Sequence, residues 1–359
     1  MEQKTTNNIV SESELDLTNK AYVQRPSYVD FNNKIKPNIS KLAMTFNIKS
    51  PLIKFLLRFL IIVFEFLTIA WIVITITFFL IKSIPGSTSL TLGLDESSRK
   101  AVEATYGLDK PLVEQYFIYL RNILVGNFGV SLSVFPGQNI NDFVWIRFYK
   151  SFLIGIFSVM LTLVIGIPVG VYVGMNPDKL PDHIATVIVS IFSSIPSLVF
   201  ALWLLLLGRT VKIPYLYVET DLATYLLPGL ALSLGSIIVY IKYIRTELNR
   251  ELNSQHAKFA YLKGLSKSRF VWTHALKPSL FPIATFFPVV IFGSFIGSLF
   301  VEQIFFITGS GGLLLNAITS KDYNIILFMV TLFSLITILS YTCRDLLYKA
   351  IDPRVRRSK

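Results

Sequence analysis

The sequence predicts an all-α, polytopic membrane protein with six transmembrane helices, both termini in the cytoplasm, an external loop domain and a cytoplasmic loop of short helices. Three observations carry this. Of 359 residues, 53% are hydrophobic and only 16% charged, against about 25% charged in an average soluble domain. The apolar residues fall into six blocks, 59–81, 151–175, 184–207, 222–241, 279–301 and 323–343, each near the roughly 20 residues that cross about 30 Å of hydrocarbon as a helix. The formal net charge of +12 is clustered, and its placement orients the spans. A water-soluble enzyme is excluded.

Residues 1–50 are polar, rich in Asn, Lys, Ser and Thr, and too poor in aliphatics to bury a core. They are expected to form a disordered cytoplasmic tail; a small helix after Pro37 stays open. The first apolar block is of full transmembrane length, so the first helix, 51–82, serves as its own insertion signal rather than as a cleavable leader. Glu65 is the one acid or base inside any block. Its cost at mid-membrane, about 2.5–3.5 kcal/mol, implies that it is protonated or turned inward.

The segment 83–150 is the external loop. Ser97 or Ser98 is placed to cap a short helix that Gly107 ends. Pro111 opens a second helix with Leu112, Tyr116, Leu120, Ile123 and Leu124 on one face, which Gly126 and Gly129 break. That helix is too short to span and is expected to rest on the membrane surface or on the outer ends of other helices.

Residues 151–349 form the five-helix core. Prolines interrupt its spans at Pro168, Pro196, Pro228, Pro282 and Pro288, and each predicts a bend. Gly166, Gly170 and Gly174, and separately Gly293 and Gly297, recur every four residues, a spacing that lets helices approach closely. Ser193, Ser194, Pro196 and Ser197 form the most polar mid-span patch. They are candidates for lining a pathway, with hydroxyls bonding back to their own helix beside a kink as the plain alternative. Glu302, near the outer end of the fifth span, is a candidate gate or contact for an external partner, or a side chain that snorkels to the interface.

Charge sets the orientation. Lys242 to Lys277 holds eight Lys or Arg against Glu247 and Glu251, and Arg344 to Lys359 holds six against Asp345 and Asp352. Both clusters follow an even-numbered span and both read as cytoplasmic, including the tail 350–359. This placement also removes nucleic acid as the reason for the positive charge.

No catalytic constellation is present. There is no phosphate-binding Gly-x-x-x-x-Gly-Lys-Ser/Thr loop, and Gly264-Leu265-Ser266-Lys267-Ser268 lacks the earlier glycine because position 262 is Leu. His183, His256 and His274 carry no metal-ligand spacing, and a single Cys343 makes no disulfide. The chain reads as a non-enzyme with no cofactor of its own.

The segment 246–278 is too long for a turn between antiparallel helices. It reads as two short helices around Gly264, carrying Phe259, Leu262, Leu265, Phe270, Val271, Trp272 and Leu276, more apolar side chains than a solvated loop holds. Composition alone leaves a partner protein and an anionic lipid surface open as the cover. Here the run from Ala257, Lys258, Phe259 and Ala260 through Gly264, Leu265 and Ser266 to Pro278 resembles the cytoplasmic EAA loop of binding-protein-dependent ABC importer permeases. Ala260 and Gly264 match that pattern; Lys258 stands where it has Glu, and Pro278 falls one residue late.

Three further stretches narrow the likeness to the oligopeptide and dipeptide permease group: Tyr106 to Pro111 with Gly126 to Ser131; Val301 to Phe305 with Gly309 to Leu314, Asp322 and Tyr323; and Asp352 to Arg356. Thr308 replaces a proline usual before the glycine run, and the 50-residue tail has no counterpart. The resemblance implies a bacterial plasma-membrane subunit of the B type in an oligopeptide importer. It implies as partners a second homologous permease, two ABC ATPase subunits and an extracytoplasmic peptide-binding protein. Ala257, Lys258, Phe259, Ala260, Gly264 and Leu265 would form the ATPase-coupling loop, with Ala260 keeping the docking face shallow. Dipeptide or nickel cargo remains open, and so does an ion-gradient-driven carrier or channel.

Overall fold

In the computed structural model, residues 51–83 and 109–351 are described, together with 96, 97, 100 and 104. The tails 1–50 and 352–359, and most of the short helix expected between Ser97 and Gly107, lie outside the described residues. Contacts divide the chain into Met1–Ile61 with Lys359, and Ile62–Ser358. Of the first unit, the described part is the opening of helix α1, Pro51–Lys82. Among the described residues the fold is all-α, with one isolated antiparallel bridge, Val130 to Asn139.

From Ile62 onward, α1 shows two faces. Ala70, Ile74, Phe78 and Ile81 are buried at helical spacing, while Phe64, Leu67, Trp71, Ile76 and Leu80 are exposed, as on a helix with lipid on one side. Helix α2, Leu112–Leu124, follows Pro111 as expected. Its Tyr116 hydroxyl shares a 2.6 Å hydrogen bond with Thr75 of α1. Its Tyr119 hydroxyl shares one of 2.8 Å with Thr331, on α13, Tyr323–Ile351. The helix therefore lies across the end of α1 and the start of α13.

The second span begins eleven residues before the apolar block. Helix α3, Ile140–Leu161, runs through a π turn, Thr162–Gly166, into α4, Ile167–Met175. Asn139 caps it, its side chain accepting from the Asn141 N–H at 3.0 Å. Arg147 and Lys150 do not stop it: Arg147 stacks over Phe135 at 5.3 Å, and Lys150 pairs with Glu219 at 2.9 Å. The wide turn precedes Pro168, which cannot donate to the ladder.

Five described helices are long and apolar enough to cross a membrane, and the expected third span is not one of them. It is broken into α5, Leu180–Ser194, and α6, Ser197–Val211, bent by 101°. Pro196 causes the break: Ile195 before it takes an extended backbone, ψ 122°, because a following proline disfavours the helical region. The Ser193 and Ser194 hydroxyls donate back to Val189 O at 2.6 Å and Ser190 O at 2.9 Å. The two halves nonetheless run the length of α7, Leu226–Leu252. At one end Asp182 of α5 pairs with Arg245 of α7; at the other, Gly208 of α6 packs on Leu227 of α7.

Pro228 produces no kink, since it occupies the first turn of α7, where no intrahelical N–H is needed. The glycines of α4 do pack: a Cβ on Gly166, Gly170 or Gly174 would meet Tyr240, Ile244 or Leu248 of α7 at 3.0, 2.9 or 3.1 Å. The second glycine pair behaves differently. Gly293 faces open space, and Gly297, at φ +70°, ends a helix.

That helix is α10, Leu276–Ile296, which contains Pro282 and Pro288. Short helices α11, Leu299–Ile304, and α12, Ser310–Thr319, return to α13. The end of α13 lies by the start of α10, with Tyr348 and Phe281 rings 5.6 Å apart.

Candidate functional site

The loop between α7 and α10 folds into two short helices. Ser254 caps α8, Gln255–Leu262, its hydroxyl accepting from the Ala257 N–H at 3.1 Å. The helix closes with two bonds, Gly264 N–H to Tyr261 O at 2.9 Å and Leu265 N–H to Ala260 O at 3.1 Å. This is the Schellman pattern, which needs a left-handed residue at Gly264, and its φ is +84°. Ser266 then caps α9, Lys267–Phe270, and a π turn, Val271–Ala275, leads into α10.

Periodicity gives the loop two faces. Ala257, Ala260, Phe270, Val271 and Ala275 are buried in one cluster with Val171 of α4 and Ile244, Leu248 and Leu252 of α7. Phe270 is ringed by Tyr261, His256 and His274, with centroids 5.5 to 5.7 Å away. Lys267 Nζ donates to Met175 O at 2.6 Å, tying the loop to the end of α4. The loop is thus a packed cap on the bundle and not a free strap.

The outer face carries Lys258, and Phe259, Leu262 and Trp272 at 65%, 83% and 63% exposure. Ala257 and Ala260 do not lie on that face: they turn toward the bundle, where their small size lets α8 approach α7. Gly264 is exposed at the tip, and Leu265 is half-buried. Burial raises the pKa of Tyr261 above its ordinary value.

Ser193, Ser194, Pro196 and Ser197 all sit at the α5–α6 break and are exposed. The structure brings Lys242 of α7 to them, its Nζ donating to Ser193 Oγ at 3.3 Å. On the same side chains' neighbourhood of α7, an apolar cavity of about 330 Å³ opens against α10, lined by Val239, Tyr243, Pro282 and Phe286. The serine patch and the loop 254–275 both pack along α7, through Lys242 and through Ile244, Leu248 and Leu252.

Glu302 neither snorkels nor faces solvent; it is 3% exposed. Ser151 Oγ donates to Oε1 at 2.6 Å and the Gly312 N–H to Oε2 at 2.7 Å. The carboxylate thus caps the N-terminus of α12, where negative charge is stabilised. Gly309 leaves it room, since a Cβ there would lie 2.5 Å from Glu302 Oε2.

A second buried carboxylate carried no functional expectation. Asp322 is fully buried, and its Oδ2 accepts from Ser131 Oγ at 2.6 Å and from the N–H groups of Leu132, Ser133 and Val134 at 2.8 to 3.1 Å. It pins residues 131–134 to the start of α13. The sequence signal was an isolated Asp between two helices, opposite a Gly-containing loop far away in the chain. Among the described residues, no group of His, Cys, Asp and Glu is arranged to hold a metal.

Comparison with known proteins places this geometry. Residues 166–357 match the binding-protein-dependent transport system inner membrane component family, and residues 52–136 match the N-terminal part of such membrane components. The chain is 31% identical over 296 residues to the oligopeptide transport system permease protein of Haemophilus influenzae, covering 81% of this chain and 96% of that one. It is 30% identical over 287 residues to the dipeptide transport system permease protein of Lactococcus lactis, covering 80% and 94%. The corresponding oligopeptide permease of Salmonella typhimurium is 31% identical and covered over its full length. A multi-pass chain with a packed helical cap and these relatives is a permease subunit without catalytic chemistry of its own, and it belongs to the binding-protein-dependent transport system inner membrane component family.

Proposed function

We propose that this chain is the membrane-spanning permease subunit of an ATP-driven importer of oligopeptides, and that the cap formed by α8 and α9 is where separate ATPase subunits dock. One observation carries the docking assignment: Phe259, Leu262 and Trp272 remain largely exposed although the other apolar side chains of the cap are packed. Three large apolar side chains held outward on a rigid, basic platform form a surface suited to burial by a partner. A second homologous permease and an extracytoplasmic peptide-binding protein complete the assembly in this reading.

In this reading the chain crosses the membrane six times, with the cap, the N-terminus and the C-terminus on the cytoplasmic side. The broken α5–α6 pair counts as one of them, because its ends meet opposite ends of α7. The pathway runs along the exposed side of α7, where Lys242 touches the Ser193 patch. Closure of the ATPases shifts the cap, and Gly264 marks the turn through which the shift passes to α7 and α10. An interface of this kind transmits only by packing differently in the inward and outward states.

Affinity purification of the tagged chain from its native membrane tests the assembly. Two ATPase chains, one second permease and a binding protein holding peptide should co-purify. Recovery of the chain alone, still active in uptake, would overturn the proposal in favour of a gradient-driven carrier.

A further inference from the structure

At the end of the bundle opposite the cap, a cavity of about 490 Å³ lies between the end of α1, helix α2, the loop 127–139 and the start of α13. We propose that it binds the phosphodiester headgroup of an anionic phospholipid. The cavity is mixed: Lys82, Gln115, Asn122, Asn127, Asn139 and Asn324 line it beside the apolar Phe78, Ile118, Phe128 and Leu327 and the Tyr119 ring, and its size falls in the range of about 300–1,000 Å³ usual for small-ligand sites.

Asn324 and Gln115 donate their amide N–H groups to Val130 O and Lys110 O, whereas the donors of Asn127 and Asn139 stay open among the described residues. The side-chain oxygens of Asn127 and Asn139 already accept from the N–H groups of Gly129 and Asn141, each at 3.0 Å. Their amide nitrogens have no partner among the described residues. Lys82 makes no ion pair among the described residues; its Nζ lies over the Phe78 ring, 6.0 Å from the centroid. A lysine and two amide donors converging on one cavity suit an anion.

Position selects the lipid. Lys82 is the last residue of α1, the outer-leaflet end of that span in the topology proposed above, where a lysine at a helix end reaches the headgroup level. Ile76, Phe79 and Leu80 on α1 and Val113 and Phe117 on α2 are exposed and apolar, and they supply a surface for the acyl chains. A free phosphate has no use for that surface. The outer-leaflet assignment rests on the topology proposed above; the site itself does not.

The test is native mass spectrometry of the full chain after exchange into bilayers of phosphatidylglycerol or phosphatidylcholine. The wild-type chain should retain one phosphatidylglycerol that phosphatidylcholine does not replace. Lys82→Gln should lower that retention about fivefold, roughly the worth of one interfacial lysine. Asn127→Asp, which still accepts from Gly129 but adds a negative charge, should lower it further with unchanged melting. Equal retention in both variants would overturn the site. Displacement of the lipid by inorganic phosphate or glycerol phosphate would overturn the lipid assignment, as would variants that bind lipid normally but lose the external binding protein.

Discussion

Truncating Phe259 and Leu262 to alanine removes the two side chains of α8 that project furthest from the cap, 65% and 83% exposed. Fully burying a Phe or Leu is worth roughly 1.5–3 kcal/mol. Since about two-thirds or more of each side chain is still available to a partner, each truncation should cost about 1–2 kcal/mol of docking. The two lie three residues apart on one helix face and couple, so the pair is less than additive; about 2–3 kcal/mol corresponds to a loss of roughly 30- to 150-fold. The assay is titration of the ATPase subunits onto the permease held in nanodiscs, together with peptide-stimulated ATP hydrolysis. The thermal stability of the permease should not move, because neither side chain belongs to the buried cluster. Wild-type affinity in the double variant would refute the docking assignment. Ala257→Leu serves as the contrast: Ala257 is completely buried, so overpacking there should destabilise the cap by about 1–3 kcal/mol.

Gly264→Pro should abolish peptide-stimulated ATP hydrolysis while the protein still inserts, since proline cannot adopt φ +84° and lacks the N–H bonded to Tyr261. Gly264→Ala meets no neighbour within 4 Å, so it should cost only the left-handed backbone, about 1–2 kcal/mol, and keep measurable stimulation. Asp322→Ala removes the acceptor of four hydrogen bonds from residues 131–134. It should destabilise that loop by about 3–5 kcal/mol, read as faster amide exchange at Leu132 and Val134, with the cap unaffected.

Five of the six expected spans are legible because lipid demands long apolar segments, and the glycine row 166–174 is legible because close packing demands small residues. The turn at Gly264 was also readable, since a helix that stops and restarts within a few residues favours a left-handed position. Other features depended on contacts between distant segments. The extension of α3 back to Ile140 follows from Glu219 and Phe135 accommodating Lys150 and Arg147. The 101° break at Pro196 looked like one more kink, because sequence marks a proline but not the angle that packing against α7 permits. The inward turn of Ala257 and Ala260 depends on the phase of α8 relative to α7, which spacing alone leaves undetermined. Glu302 and Asp322 were the least legible, since the groups that satisfy each carboxylate come mainly from elsewhere in the chain.

The central claim is that this permease passes peptide under the control of ATPases docked on its cap. Uptake of a labelled oligopeptide into proteoliposomes holding the whole complex, with ATP sealed inside and the binding protein outside, tests it most directly. Uptake should require internal ATP, stop with vanadate, survive a protonophore and vanish with Gly264→Pro. Uptake that proceeds without ATP, or that collapses with the protonophore, would contradict the account.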